Sequence, residues 1–438
     1  VSARPADVAG TLAEALRPVV GGDLPVRLTA WDGSTAGAAD GPHVRLNSPD
    51  ALRRLLWHPG ELGAAQAYVA GDLEVDGNVA DALRHAWGTV ADRDLKDRGT
   101  LLARLPRALR AAFTTGAVGA PLTAPKTQIA VRGRLHSRTR DRDVIHHHYD
   151  VDSRFYEMIL DQHMAYSCAY VTEGDIDGAE TDAYPLEAAQ ADKLDLVCRK
   201  IGLDQRPGMT MLDVGCGWGS LSLHAAERYG AKVTGVTIAE EQKAFIDKRI
   251  HDRGLQDRVT IELRDYRDVQ GRYDAVASLE MGEHAGDKGY PTYAKVLHDA
   301  AHDDARILVQ QMSRRGRHPG GGPFIEAFIA PDMTMRPVGD TIELLEAAGL
   351  EVRDVHAMRE HYAWTVRSWQ RRFDQNRSQI EQLVDPEVIR VWELYLAGGL
   401  LAFEQGRMGV DQILAVRRRT GPSRLPAVRP ASWSDPRA

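Results

Sequence analysis

Apolar positions change their period sharply near the middle of this chain. Met209, Met211, Leu212 and Val214 read as a short buried strand, and Gly215, Gly217 and Gly219 follow at spacings of two. Leu221, Ala225, Ala226 and Tyr229 then recur at roughly helical spacing, with Gly230 where a C′ glycine stops a helix. The alternation continues downstream: strand 232–237, helix 240–253, strands 259–263 and 273–279, helix 290–300, strand 306–312, helix 341–348 and strand 352–356. A helix opens at Pro185 with Leu186, Ala189, Leu194, Val197 and Ile201 on one face. Strands alternating with helices predict an α/β fold, a mostly parallel doubly wound sheet with its ligand at the carboxyl ends of the strands. Residues 1 to about 90 predict a smaller mixed α/β domain: helix 8–20, strand 26–31, a helix opened by Ser48-Pro49, and strand and turn from Ala67 to Gly77.

Composition narrows the class without naming a chemistry. A chain of 438 residues holds two or three domains, and a net charge of −7 argues against nucleic acid as the main partner. Cys168, Cys198 and Cys216 form neither a disulfide framework nor a zinc spacing. His146, His147 and His148 are adjacent, so they cannot all reach one metal from a regular element, and no metal site is expected. No apolar run approaches a membrane span, and the first residues lack a signal-peptide pattern, so a cytoplasmic protein is expected.

Two stretches bear on membranes. Leu101 to Phe113 places leucines on one side and Arg104, Arg107 and Arg110 on another, which suits either a helix lying on an anionic bilayer or a core-facing helix with a solvated face. Arg132 to Arg142 reads as a basic linker. The expected layout is an N-terminal lipid- or membrane-associated domain over 1–130 with a linker to about 145, a catalytic domain over 146–420, and a flexible proline-rich tail over 421–438.

A glycine triplet after a strand serves several adenosine cofactors. Asp213, at the strand end, separates them: dinucleotide folds keep their acid about twenty residues on, at the ribose. Here the acid suits a cation, and D-x-G-x-G-x-G resembles the loop of class I methyltransferases, whose S-adenosylmethionine carries an ammonium and a sulfonium. Around it stand Tyr166-Ser167-Cys168-Ala169-Tyr170, Glu187 to Leu194, Thr237-Ile238-Ala239-Glu240-Glu241-Gln242, Asp265-Tyr266-Arg267-Asp268, Glu280-Met281-Gly282-Glu283-His284, Tyr290-Pro291-Thr292-Tyr293 and Tyr395-Leu396-Ala397-Gly398. In this order they resemble the cyclopropane-fatty-acid synthase family, which includes the mycolic acid cyclopropane synthases, from Tyr149 to about Gly409.

The resemblance implies a class I methyltransferase domain that binds S-adenosylmethionine through Tyr166, Ser167, Asp213, Gly215, Gly217, Gly219, Thr237, Gln242, Tyr266 and Arg267. It implies methyl transfer to the double bond of an unsaturated acyl chain, within a phospholipid at the membrane surface, by a peripheral enzyme. A cation on the chain follows, which the aromatic faces of Tyr166, Tyr170 and Tyr362 could stabilise, while Trp364 reads better as core. It implies a bound bicarbonate as base, held by Glu283, Tyr362 and the backbone at Cys168. Three departures stand out: Gln310 replaces a histidine of the anion site and so joins Glu283, Tyr362 and Cys168 as a catalytic candidate, Gly282 replaces an aromatic and so opens space beside the anion, and Gly399 replaces a cysteine. With Gln310 and Gly282 altered, the product is a cyclopropane or, as the rival, a 10-methylene branch, which would call for a separate reductase. A lipid-binding protein without catalysis is the rival of another class. A homodimer is compatible with the sequence.

Overall fold

The computed structural model describes residues 7–18, 20–93, 117–129, 133, 135–138, 140–141, 153–316, 321–421 and 425–435. Leu101 to Phe113 and His146 to His148 lie outside them. The chain divides into two compact units, one of residues 1–129, 322–329 and 384–401, the other of 130–321, 330–383 and 402–438. Two excursions, far on in the chain, thus belong to the first unit, which a boundary at 130 does not anticipate.

The first unit carries α1 (Val8–Leu16), β1 (Arg27–Thr29), β2 (Thr35–Gly37), β3 (His43–Leu46), α2 (Asp50–Trp57), α3 (Glu61–Val69), β4 (Leu73–Val75) and α4 (Val79–Asp92). Its sheet runs β2-β1-β3-β4, with β1 and β3 parallel. Val8, Leu12, Leu28, Leu46 and Ala51 close one apolar core between α1, the sheet and α2. Ala67 to Val69, expected to begin a strand, end α3 instead, within a run from Ala65 to Val69 that is buried on every side, so burial alone does not separate helix from strand.

The second unit holds α5 (Ser153–Ile159), α6 (Leu186–Lys200), β5 (Thr210–Val214), α7 (Ser220–Tyr229), β6 (Lys232–Thr237), α8 (Glu240–Asp252), β7 (Val259–Leu263), β8 (Tyr273–Leu279), α9 (Gly286–Asp299) and β9 (Ala301–Arg314). The chain passes through α10 (Pro323–Phe328) in the first unit, then α11 (Val338–Ala347), β10 (Leu350–Ala357), α12 (Arg359–Gln375) and α13 (Arg377–Leu383). Then come α14 (Pro386–Glu404), of which residues 386–401 belong to the first unit, and β11 (Met408–Arg417) in the second. The seven strands lie in the order β10-β11-β9-β8-β5-β6-β7. β9, β8, β5, β6 and β7 are parallel, and β11 enters antiparallel between β9 and β10.

Helices bury both faces of this sheet, as its near-continuous apolar strands require. Leu194, Leu221 and Ile246 bring α6, α7 and α8 onto one face, and Tyr290, Tyr293 and Leu345 bring α9 and α11 onto the other. The chain winds outward from β5 through β6 and β7, then returns to lay β8 on the other side of β5. That reversal makes the carboxyl ends of β5 and β8 the place where a crevice opens. Beyond Gly421 the expected flexible tail is corrected: within 425–435, Trp433 is 5 % exposed, and the Tyr170 hydroxyl donates to the Ser434 carbonyl.

Candidate active site

A cavity of about 890 Å³, counting its open mouth, lies at those two strand ends. Gly215, Gly217, Thr237, Gln242, Tyr266 and Arg267 line it, together with Glu280, Met281, His284 and His136. Gly217 has φ +52, and no atom lies within 4 Å of where its Cβ would stand, so a ligand can press against bare peptide there. Thr237 Oγ1 donates to Gln242 Oε1 at 2.7 Å, leaving the Gln242 Nε2 hydrogens for a ligand hydroxyl. Arg267 does not reach in as a free cation. It donates to both oxygens of Asp265 and to Asp141 Oδ2, each at 2.7 Å, and so ties Asp141 beside Tyr266. Arg138 pairs with Asp268, and Arg140 with Asp332, on the same side.

Four residues expected at the cofactor sit behind this lining. Asp213 is buried, its Oδ2 accepts from Ser222 Oγ at 2.7 Å, and burial pushes its carboxyl up to about 6. Ser167 accepts from the buried Lys193 Nζ at 2.8 Å, and half-buried Tyr166 packs against Tyr156 and Trp369. Gly219 is the left-handed N-cap of α7 against Ile246. These residues shape the loop from below, and its own backbone fixes it: the Gly215 and Cys216 amides donate to the Val236 carbonyl and the Gly219 amide to the Cys216 carbonyl.

The hydrogen bonds expected to hold a bound anion converge elsewhere. Glu280, the residue after β8, has φ +52, a conformation that costs a non-glycine residue energy and clusters at functional sites. Its Oε1 accepts from the Cys168 amide at 2.8 Å and Gln310 Nε2 at 2.9 Å, and its Oε2 accepts from the Tyr362 hydroxyl at 2.6 Å. Tyr362 is stacked on Phe403 with centroids 4.4 Å apart, which fixes the hydroxyl. Burial raises the Glu280 pKa, and those three donors and Lys193 oppose the rise. The Cys168 thiol is pushed well above its ordinary value by burial, so Cys168 contributes its backbone and no thiolate.

Cys168, Gln310 and Tyr362 are therefore brought together as expected, but around Glu280 and without Glu283. The Glu283 side chain turns to β9, where Oε1 accepts from the Met312 amide at 2.6 Å. Bicarbonate does not fit the donors assigned to it, because a carboxylate of the chain already accepts from all of them. Nor does Gly282 open space: a Cβ there would stand 2.4 Å from Gln311 Oε1 and 3.1 Å from Tyr290 Cε2, since the Tyr290 hydroxyl binds Gln311 in that volume. Trp364 is buried as core, and no group of histidine, cysteine and carboxylate side chains among the described residues could hold a metal ion.

A family model described as mycolic acid cyclopropane synthetase matches residues 136–413. The chain belongs to this family. Its fold is that of the class I, S-adenosylmethionine-dependent methyltransferases. A probable fatty acid methyltransferase of Pseudomonas putida is 34% identical over 90% of this chain and 92% of its own length. The tuberculostearic acid methyltransferase UfaA1 of Mycobacterium tuberculosis is 33% identical over 90% and 88%. Among solved structures, mycolic acid cyclopropane synthase CmaA1 in complex with SAH and CTAB is similar with TM-score 0.57 at 28% identity, covering 63% of this chain and 98% of that one.

Sequence reading passed over Glu280 for Glu283, three residues on. The signal was present: a carboxylate directly after the apolar run of β8 stands at the carboxyl edge of a central strand, where ligands bind.

Proposed function

We propose that this chain methylates a double bond of an unsaturated fatty acyl chain, within a phospholipid, and that Glu280 is the base that completes the reaction. S-adenosylmethionine supplies an electrophilic methyl group when bound. The backbone at Gly215 and Gly217 with Thr237 and Gln242 would hold it, and His136 and Asp141, which line the cavity, would exclude water from the transfer. The alkene π pair forms the new carbon–carbon bond while the carbon–sulfur bond breaks, its electrons leaving with S-adenosylhomocysteine. A cation remains on the neighbouring chain carbon.

The observation that carries the reading is the Glu280 carboxylate, which lines the cavity and is oriented by three donors. An ionised carboxylate beside that cation stabilises it and then takes its proton. Loss of a proton from the transferred carbon with direct closure gives a cyclopropane. A 1,2-hydride shift followed by loss of a proton from the same carbon gives a methylene branch.

The methylene branch is the product we favour over ring closure. Two relatives spanning nine-tenths of this chain are named as fatty acid methyltransferases, one for tuberculostearic acid, and the base is a tethered side chain in place of the bicarbonate expected for ring formation. The family description and the solved cyclopropane synthases support the second reading, a cyclopropane. A methylene product would need a reducing enzyme to become a saturated methyl branch. Peripheral contact with a membrane supplies the substrate; among the described residues no helix is long and apolar enough to cross one.

Labelled S-adenosylmethionine and vesicles of dioleoyl phosphatidylglycerol test the whole reading. Label should enter the acyl chain, and gas chromatography with mass spectrometry of the methyl esters separates ring from branch. Glu280→Gln should lower turnover by about a hundredfold or more with cofactor affinity within about twofold. Wild-type turnover in that variant would remove Glu280 from the chemistry.

A further inference from the structure

Behind Glu280 a row of polar side chains crosses the sheet. Gln310 on β9 stands in register with Gln412 on β11, and Gln412 with His356 on β10. Gln310 Nε2 donates to Glu280 Oε1 at 2.9 Å, Gln412 Nε2 donates to Gln310 Oε1 at 3.0 Å, and Lys200 Nζ donates to Gln412 Oε1 at 2.9 Å. Lys200, Gln310 and Gln412 are all 0 % exposed. The Lys200 ammonium has two further acceptors, His356 Nδ1 at 3.2 Å and Asp354 Oδ2 at 3.5 Å, and Asp354 is held in turn by Arg429.

The direction of this row is fixed at its ends. A glutamine amide offers an acceptor on one side and donors on the other, and an ammonium only donates. Gln412 must therefore turn Oε1 to Lys200, which turns its Nε2 to Gln310, which turns the Gln310 Nε2 to Glu280. Reversed, the row would set donors against Lys200 and an amide oxygen against the Glu280 carboxylate, an arrangement satisfied only by protonated Glu280. The neutral His356 accepts from Lys200 without competing, since burial and Lys200 itself push its pKa down to about 3. Burial lowers Lys200 only to about 8, with Asp354 opposing, so it is charged at neutral pH.

The geometry points to Lys200 as a remote positioning residue for the base: its charge orients the Gln412–Gln310 relay so that Glu280 keeps a donor and stays ionised. This rests on the reading of Glu280 as base. The other groups facing Glu280 are Lys193 from α6, Tyr362 from α12, the Cys168 amide and thiol, and Glu283, and none belongs to the relay. Without the ammonium the two amides can turn, and Gln310 then accepts from a protonated Glu280, so the acid limb of turnover moves to higher pH.

The test uses the full chain with Lys200→Met, Gln412→Leu and the double variant, reading label transfer to dioleoyl phosphatidylglycerol vesicles from pH 5 to 9. S-adenosylhomocysteine affinity comes from calorimetry and folding from thermal melts. Each single variant should move the acid limb up by about one pH unit while affinity stays within about twofold. The double variant should move it no further, because groups acting in series are not additive. A folded Lys200→Met protein with the wild-type limb overturns the relay, and should that variant fail to fold, an unmoved limb in Gln412→Leu does so. If Glu280→Gln keeps wild-type turnover, the reading beneath the relay fails first and the relay with it. An inactive Glu280→Gln beside an unmoved limb in the relay variants sinks the relay alone.

Discussion

Glu283→Gln should flatten the dependence of stability on pH. Glu283 is fully buried, its Oε1 accepts from the Met312 amide at 2.6 Å, and its Oε2 has no hydrogen-bond partner among the described residues. Burial, helped by the nearby Glu280 carboxylate, pushes its pKa from 4.5 to about 8, so it is a neutral acid in the folded protein at pH 7. Unfolding returns the group to its ordinary value and releases a proton. Its contribution to stability is therefore fully present below the unfolded pKa of 4.5 and is lost as pH rises toward about 8. Each unit of pH in that window removes about 1.4 kcal/mol, roughly 5 kcal/mol in all. That figure is an upper bound, since a native state relaxes around a carboxylate forced to ionise. Glutamine preserves the acceptor for Met312 and cannot ionise; its buried amide hydrogens impose a constant cost of about 1–3 kcal/mol at every pH. Urea denaturation of both proteins at pH 5, 6.5 and 8, followed by near-ultraviolet dichroism, measures the difference. The variant should be less stable at pH 5 and should draw level with or pass the wild type by pH 8. Parallel stability curves would refute the argument.

Gly217→Val should weaken S-adenosylmethionine binding by tenfold or more, because the new side chain occupies open cavity and the backbone at φ +52 disfavours a branched residue; calorimetry measures it. Arg267→Leu should weaken cofactor binding by a similar factor, as it frees Asp141 and Asp265 together, whereas Arg138→Ala should stay within about twofold because its partner Asp268 is exposed. Arg372 donates to both oxygens of Glu180 and both of Glu187, so Arg372→Met should cost about 3–5 kcal/mol by stranding two carboxylates, seen as a lower urea midpoint. Gly282→Phe should destabilise, since its Cβ would stand 2.4 Å from Gln311 Oε1 and break the Tyr290–Gln311 bond.

Where periodicity carries the information, the fold was legible. The β5 strand, the glycine loop, α7 from Ser220 to Tyr229 with its left-handed Gly230, and β6 to β8 follow from apolar spacing and glycine placement. Periodicity is a local property, and what it missed is nonlocal. It does not say that β11, from the end of the chain, inserts beside β9, nor that Gln412 thereby comes into register with Gln310. The same limit explains Glu280. Motif resemblance pointed to Glu283 by its place before His284, but which carboxylate meets Tyr362 depends on the backbone turn after Leu279. The left-handed turn at Glu280 aims its side chain at α12 and leaves Glu283 to the β9 backbone.

That turn also bears on what the site can make. A diffusible anion would adjust its place to each substrate, whereas the Glu280 carboxylate is held by its own strained backbone and by donors on three other segments, at Cys168, Gln310 and Tyr362. On the proposed reading, a base so fixed would remove whichever proton the bound chain presents, and a displacement of about 1 Å can change a rate by about a hundredfold. On that proposal, product choice would belong to the depth at which the acyl chain lies against a rigid base. Shifting the double bond along the acyl chain should consequently change the ratio of ring to branch, with the cofactor site untouched. Vesicles of phosphatidylglycerol carrying double bonds at carbon 9 or carbon 11, compared under the same conditions, measure that ratio. An identical ratio from both lipids, at comparable turnover, would mean that the base follows the substrate and is not fixed by the fold.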